Sequence, residues 1–256
     1  MLAKIYLQSS RRDNEDVYRA YRQIKYKVFV IEQGWHDLAD RHGRAVATED
    51  PFDDQGRFQL ALSEEGLPIG VVRGVPLRED FPHRHLFAHH LSVEAFARAL
   101  PLLCSINALA VLPDHRRKRY RVEGTDWEGS VGNLLLLSLF KSLEADHIKG
   151  AIATAGDTAS LRFFARFGFQ AIDRPAINVL HTLPMTNIGL VFGSPAHLRT
   201  QDTCRFYPNM HVSLAGTMRA LECYFSERQA YTREDDPAEL VHDGSAGETD
   251  ERKITT

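Results

Sequence analysis

The chain has 256 residues, 43% of them apolar, and 31 Lys and Arg against 34 Asp and Glu give a formal charge of −3. That length suits one large domain with a sizeable core, and the near-balance of charge gives no ground for nucleic-acid binding. Three cysteines, Cys104, Cys204 and Cys223, are too few and too scattered for a disulfide framework, and no apolar run is long enough for a membrane span. Met1 to Tyr6 has no long apolar stretch, so no signal peptide is expected, and a reducing cytoplasm is the expected setting.

Leu2 to Leu7 reads as a short strand and Glu15 to Gln33 as a helix ended by Gly34. Val17, Tyr21, Ile24, Val28 and Ile31 step by three or four, which predicts one buried face. Residues 36 to 56 are polar and loop-like. Arg57 to Ser63 and Leu67 to Val75 read as strands joined by a Glu64-Glu65-Gly66 hairpin signal. A loop rich in Pro and His covers 76 to 91, and Val93 to Leu100 reads as a helix stopped by Pro101. Cys104 to Leu112 is a buried strand, Val131 to Ala145 a broadly apolar helix, Ile148 to Ala155 a strand and Thr158 to Phe167 a helix capped by Gly168. Phe169 to Ile172 and Ile177 to Leu183 read as strands, and Thr217 to Arg228 as a helix. Residues 231 to 256 are rich in acids and poor in large apolar residues, which predicts a disordered tail after a domain of residues 1–230, with 187–230 as a C-terminal extension.

Between the Cys104 strand and the Val131 helix lies a basic, polar loop with His115-Arg116-Arg117-Lys118-Arg119-Tyr120-Arg121 and then Trp127-Glu128-Gly129-Ser130-Val131-Gly132-Asn133. A glycine-bearing loop entering a helix N-terminus offers backbone N–H groups and a favourable dipole to a pyrophosphate. Further on comes Ser160-Leu161-Arg162-Phe163-Phe164-Ala165-Arg166-Phe167-Gly168-Phe169. This order of strand, loop, helix, strand and helix resembles the acyl-CoA-binding core of GNAT-type N-acyltransferases. Their loop pattern is Arg/Gln-x-x-Gly-x-Gly/Ala; here Gly132 fits, Ser130 replaces a glycine and Trp127 stands at the Arg or Gln position. Their second helix carries Asn and Ala where this chain has Asp157 and Ser160.

The resemblance implies an α/β (α+β) fold of GNAT type, a central mixed twisted sheet flanked by helices. It implies acyl-CoA or acyl-phosphopantetheine as co-substrate, with no permanently bound cofactor. Donor contacts fall on Leu109, Val111, Arg116, Arg117, Gly129, Ser130, Val131, Gly132, Asn133, Ser160 and Phe164. Phe164 stands where the family often has a Tyr that protonates the leaving thiolate, and Phe has no proton to give. Arg116 to Arg121 is placed to hold donor phosphates or to dock an acidic acyl carrier protein, while a solvated loop is the plain alternative.

The N-terminal half is narrower in its likeness. Tyr26 to Trp35, with Val28-Phe29, precedes Glu49-Asp50-Pro51-Phe52-Asp53 and a strand Ile69-Gly70-Val71-Val72-Arg73-Gly74-Val75-Pro76. This series is similar to acyl-homoserine lactone synthases and long-chain N-acyl amino acid synthases. Glu49, Asp50 and Asp53 then become candidates to bind and deprotonate a small-molecule amine acceptor, or caps. Arg73 becomes a clamp for an acceptor carboxylate, a holder of those aspartates, or a structural ion pair. Asn107 is a candidate substrate contact or a buried amide. The lactone synthases carry a Glu and an Arg on the fourth strand; Ser105 and Ala108 stand there, so no lactone is expected.

His83-Arg84-His85-Leu86-Phe87-Ala88-His89-His90 sets His85 and His89 four apart. No third ligand, flanking Cys or HExxH pattern accompanies them, so no metal is expected. One of these histidines, or His115, is a candidate base. The rival functions are a non-catalytic acyl-thioester-binding module and a lactone-synthase-like signal synthase, with a metal-dependent hydrolase third.

Overall fold

The computed structural model describes residues 2–156, 158–173, 178–180, 183–201 and 216–234. The expected acidic tail therefore lies almost wholly outside the described residues, as does Asp157. The elements are β1 (Ala3–Ser10), α1 (Glu15–Lys25), β2 (Arg57–Ser63), β3 (Pro68–Pro76), α2 (Glu94–Ala99), β4 (Leu103–Val111), β5 (Arg119–Val122), β6 (Glu128–Ser130), α3 (Val131–Ala145), β7 (Gly150–Ala155), α4 (Thr158–Ala165), β8 (Gln170–Ala171), β9 (Asn178–Leu180), β10 (Leu183–Val191), α5 (Pro195–Gln201) and α6 (Gly216–Glu234).

One mixed sheet runs β6-β5-β1-β2-β3-β4-β7-β10-β8, with β9 paired to β10. Neighbouring residues of β3 point to opposite faces. Val71 joins the cluster under α1, with Tyr21, Ile24 and Phe58, whereas Val72 joins the cluster under α3, with Leu135 and Leu139. The two helices thus cover opposite faces, and β3 is buried along nearly its whole length. Gly70 and Gly74 share the face of Val72. A Cβ at Gly70 would fall 2.8 Å from Val131 and one at Gly74 3.0 Å from Leu139, so the glycines let α3 lie close to the sheet. A third cluster joins α2 and α6 through Phe96, Phe225 and Leu221.

Three expectations change. The first helix is α-helical only to Lys25, and Tyr26–Glu32 continues it as a π-helical segment. The wider turn breaks the 3.6-residue period, and Ile31, predicted on the buried face, is 65% exposed. The basic loop contains a strand pair: Tyr120 and Val122 are buried and Arg119 and Arg121 exposed, and β5 joins β1 in parallel. Finally, β10 lies inside the sheet against β7, so the chain beyond residue 187 begins within the central architecture.

Candidate active site

β4 and β7 pair in parallel only from Leu103 to Ser105. Beyond that point Ala108 takes a left-handed φ of 55°, and the register with β3 shifts between Val71 and Arg73. The bulge turns β4 away from β7. A cleft of about 680 Å³ opens there, lined by Ile106 to Val111 on one side and Thr154 to Gly156 on the other. Peptide groups of β4 that would otherwise bond β7 are left to face it.

The N-terminus of α3 closes one end. Ser130 caps it, accepting the Asn133 N–H at 3.4 Å, and Ser130 and Gly132 line the cleft. A Cβ on Gly132 would meet Phe163 at 3.4–3.5 Å and Val111 at 3.9 Å, ordinary contact. The fold itself does not demand glycine here, in contrast to Gly70, so the bare backbone serves the space in front of it. Ser160, Phe163 and Phe164 of α4 supply another wall. Phe164 is buried edge-on against Phe163 and Phe169.

Val28, Phe29, Gln33 and Trp35 complete the apolar side, with Phe29 stacked on Trp35 at 5.0 Å. The π-helical segment presents Val28 and Phe29 here; such segments recur at functional sites. Met185 from β10 and His83, itself at a left-handed φ of 59°, also line the cleft. These last two, with Thr154 and Phe163, were not singled out in the sequence. His83 was one of several loop histidines, and nothing in their spacing distinguishes it.

Of the residues predicted for the donor, Leu109, Val111, Arg116, Ser130, Gly132, Ser160 and Phe164 meet in this cleft. Arg116 is anchored by Glu32 and by the Val111 carbonyl at 2.8 Å. Gly129, Val131 and Asn133 flank it without lining it. Arg117 is exposed on the surface beside it.

The residues predicted for the acceptor form a separate layer behind the cleft wall. Arg73, 2% exposed, donates to Asp53 and, at 2.9 Å, to Asp50. Tyr18 OH donates to Asp53 at 2.8 Å, as does the Asp50 N–H at 3.1 Å. Burial works against the Asp50 carboxylate, but the Arg73 charge and hydrogen bond outweigh it and leave its carboxyl below the ordinary range. Glu49 faces the other way, toward Arg12 and Arg22. None of Glu49, Asp50, Asp53 and Arg73 lines the cleft. Asn107 does, and it ties the two layers together: its Oδ1 accepts from Arg73 Nε at 2.5 Å. Arginine only donates, so Oδ1 must be the atom facing it. Nδ2 is the donor left over, with only long contacts of 3.4–3.5 Å to Ser105.

No family model and no curated protein matches this sequence. Solved structures do. BjaI, a CoA-dependent acyl-homoserine lactone synthase solved with SAM and isopentyl-CoA, is 19% identical with a TM-score of 0.54, over 86% of this chain and all of its own, 100%. TofI, in a ternary complex with an inhibitor and MTA, is 16% identical with a TM-score of 0.57, over 78% of this chain and 96% of its own. The AHL synthase LasI is 14% identical with a TM-score of 0.56, over 83% of this chain and 100% of its own. The chain therefore has the GNAT-like acyltransferase fold, in the form that these synthases share. No described helix is long and apolar enough to cross a membrane.

Proposed function

We propose that this protein is an N-acyltransferase that moves an acyl group from acyl-CoA to the amine of a small molecule by direct attack. The observation that carries this reading is the cleft where the split between β4 and β7, the capped N-terminus of α3 and the face of α4 converge. A thioester laid along β4 puts its carbonyl beside the N–H groups near Leu109 and Val111, which stabilise negative charge as it develops. The pyrophosphate sits at Gly129 to Asn133, with the helix dipole and Arg116 adding attraction. Val28, Phe29, Trp35, Phe163 and Met185 offer the acyl chain an apolar wall.

The amine attacks the carbonyl carbon, a C–N bond forms and the C–S bond breaks. His83 takes the ammonium proton directly or through water, being the histidine that lines the cleft. The thiolate leaves without a side-chain acid at Phe164, which a thiol pKa of about 8.5 allows. Asn107 offers Nδ2 to an oxygen of the acceptor, and Arg73, Asp50 and Asp53 hold Asn107 in place. A small molecule with both an amine and a carboxylate fits these groups.

An acyl carrier protein is a second donor reading. Arg117, Lys118 and Arg119 are exposed and, among the described residues, have no carboxylate partner. Charge reversal at Arg117 and Arg119 should then raise KM for a carrier-bound donor far more than for acyl-CoA. A cytoplasmic site of action belongs to the same proposal.

The test is release of CoA thiol from an acyl-CoA series in the presence and absence of an amine and amino-acid pool, with mass spectrometry of products. Amine-dependent release and an amide product are expected. Release at the same rate without amine would make the protein a thioesterase, and no release with donor bound would make it a binding module.

A further inference from the structure

The loop before α2 and the far half of the sheet bring together a cluster that the cleft does not use. His89 Nε2 and His90 Nε2 both lie on Asp173 Oδ1, at 2.7 and 2.9 Å. The three ligand-capable atoms are all within 4.8 Å of one another. His90 and Asp173 are fully buried, whereas His89 is 43% exposed. The sequence alone argued against a metal in this loop because no third ligand was visible nearby. Asp173, 83 residues from His90, supplies one.

We infer that His89, His90 and Asp173 form a binding site for a divalent transition ion of the zinc class. Two imidazole nitrogens and one carboxylate oxygen are its preferred donors, and three protein ligands leave a fourth position for water. That position opens on the His89 side. A tetrahedral ion about 2.0–2.2 Å from each ligand sets both imidazoles roughly 3.4 Å from Asp173 Oδ1, about 0.5–0.7 Å further than they now stand. The half-exposed His89 can give by that amount, and the buried His90 and Asp173 must part by a small turn of their side chains.

The far side of each buried ligand is already fixed. His90 Nδ1 lies 2.5 Å from Tyr224 OH on α6, which lets Nδ1 keep its hydrogen and Nε2 offer a lone pair. Asp173 Oδ2 accepts from Asn187 Nδ2 on β10, and that amide is held in turn by the Leu86 carbonyl at 2.7 Å. Outer partners of this kind orient metal ligands. Asn187 Oδ1 remains buried without a hydrogen-bond partner. An ion here would clasp the loop, β10 and α6 together.

The rival is a metal-free hydrogen-bonded strut. The full chain, stripped with a chelator and dialysed, is titrated with Zn²⁺ against a chromophoric chelator and with Co²⁺ by visible absorption. One equivalent of Zn²⁺, a tetrahedral cobalt spectrum and a zinc-dependent rise in Tm are expected. His89→Ala, which truncates a half-exposed side chain and should fold, abolishes all three. Tyr224→Phe weakens binding by about tenfold to a hundredfold, the usual loss with an outer partner. A His83→Ala and His85→Ala double variant binds as the parent does. Absence of stoichiometric binding by the parent overturns the site, as does binding that survives His89→Ala but is lost with His83 and His85.

Discussion

Arg73 sits in a buried network behind the cleft wall, donating to Asp50, Asp53 and Asn107. Asp50, Asp53 and Arg73 were legible as one set through the resemblance of residues 20–76 to acyl-homoserine lactone and N-acyl amino acid synthases. Their burial was not legible, since a buried ion pair and an active site use the same side chains. Asp53 is 1% exposed and bound from three directions, by Arg73, Tyr18 and the Asp50 N–H. Arg73→Met leaves two carboxylates without their cation and should cost about 3–5 kcal/mol in urea denaturation, the range for breaking a buried pair. Asn107→Ala should fold with a smaller loss of stability, because Arg73 Nε loses its acceptor, and should raise KM for the acceptor while leaving acyl-CoA affinity unchanged. Loss of acyl-CoA affinity would place Asn107 on the donor side.

Lys25 lies beside this network, 6% exposed. Burial, and after it the Arg73 charge, push its ammonium down to about 8 from 10.5, against the pull of Asp50 and Asp53. The unfolded chain holds that proton up to about pH 10.5 and the folded chain releases it near 8. Between those values the unfolded state binds more protons, so stability rises with pH. Lys25→Met removes this dependence. Its Tm relative to the parent should therefore be highest below pH 8 and decline towards pH 10, and a difference independent of pH would contradict the assignment.

At the level of elements, patterns with one dominant period were readable. The helix predicted over Val131 to Ala145 is α3 with the same bounds, because its apolar run is long and its Ser130 cap is explicit. The buried β4 was equally clear. The strand read over Ile177 to Leu183 ends where β10 begins, and β10 was missed because Pro184, Asn187 and Gly189 interrupt its apolar run. Gly189 is there for packing: a Cβ would sit 2.3 Å from the Phe225 ring of α6. The convergence of β4, α3 and α4 on one cleft depends on the bulge at Ala108, which no sequence signal marks. Gly132→Ala tests what that convergence is for. A Cβ fits against Phe163, and replacing glycine inside a helix favours folding by about 0.4–1 kcal/mol where the geometry permits. The variant should match or exceed the parent in Tm without ligand, yet gain less from CoA.

At the scale of the fold, α1 and α3 cover opposite faces of the sheet, which opens between β4 and β7. The fold was legible from the order of its motifs, whereas the His89, His90 and Asp173 cluster needed contacts across 83 residues of chain and so could not be read locally. The central claim is that the opening receives an acyl-CoA. A ligand that binds only the folded state raises Tm by mass action, by about 2.7 kcal/mol of stability at a hundred times its Kd. Thermal unfolding of the parent and of Gly132→Glu, each with and without an acyl-CoA series, measures this directly. A concentration-dependent rise in Tm is expected for the parent and none for Gly132→Glu, whose bulk and charge occupy the pyrophosphate position. No rise in the parent with any acyl-CoA, or an equal rise in both proteins, would contradict that claim.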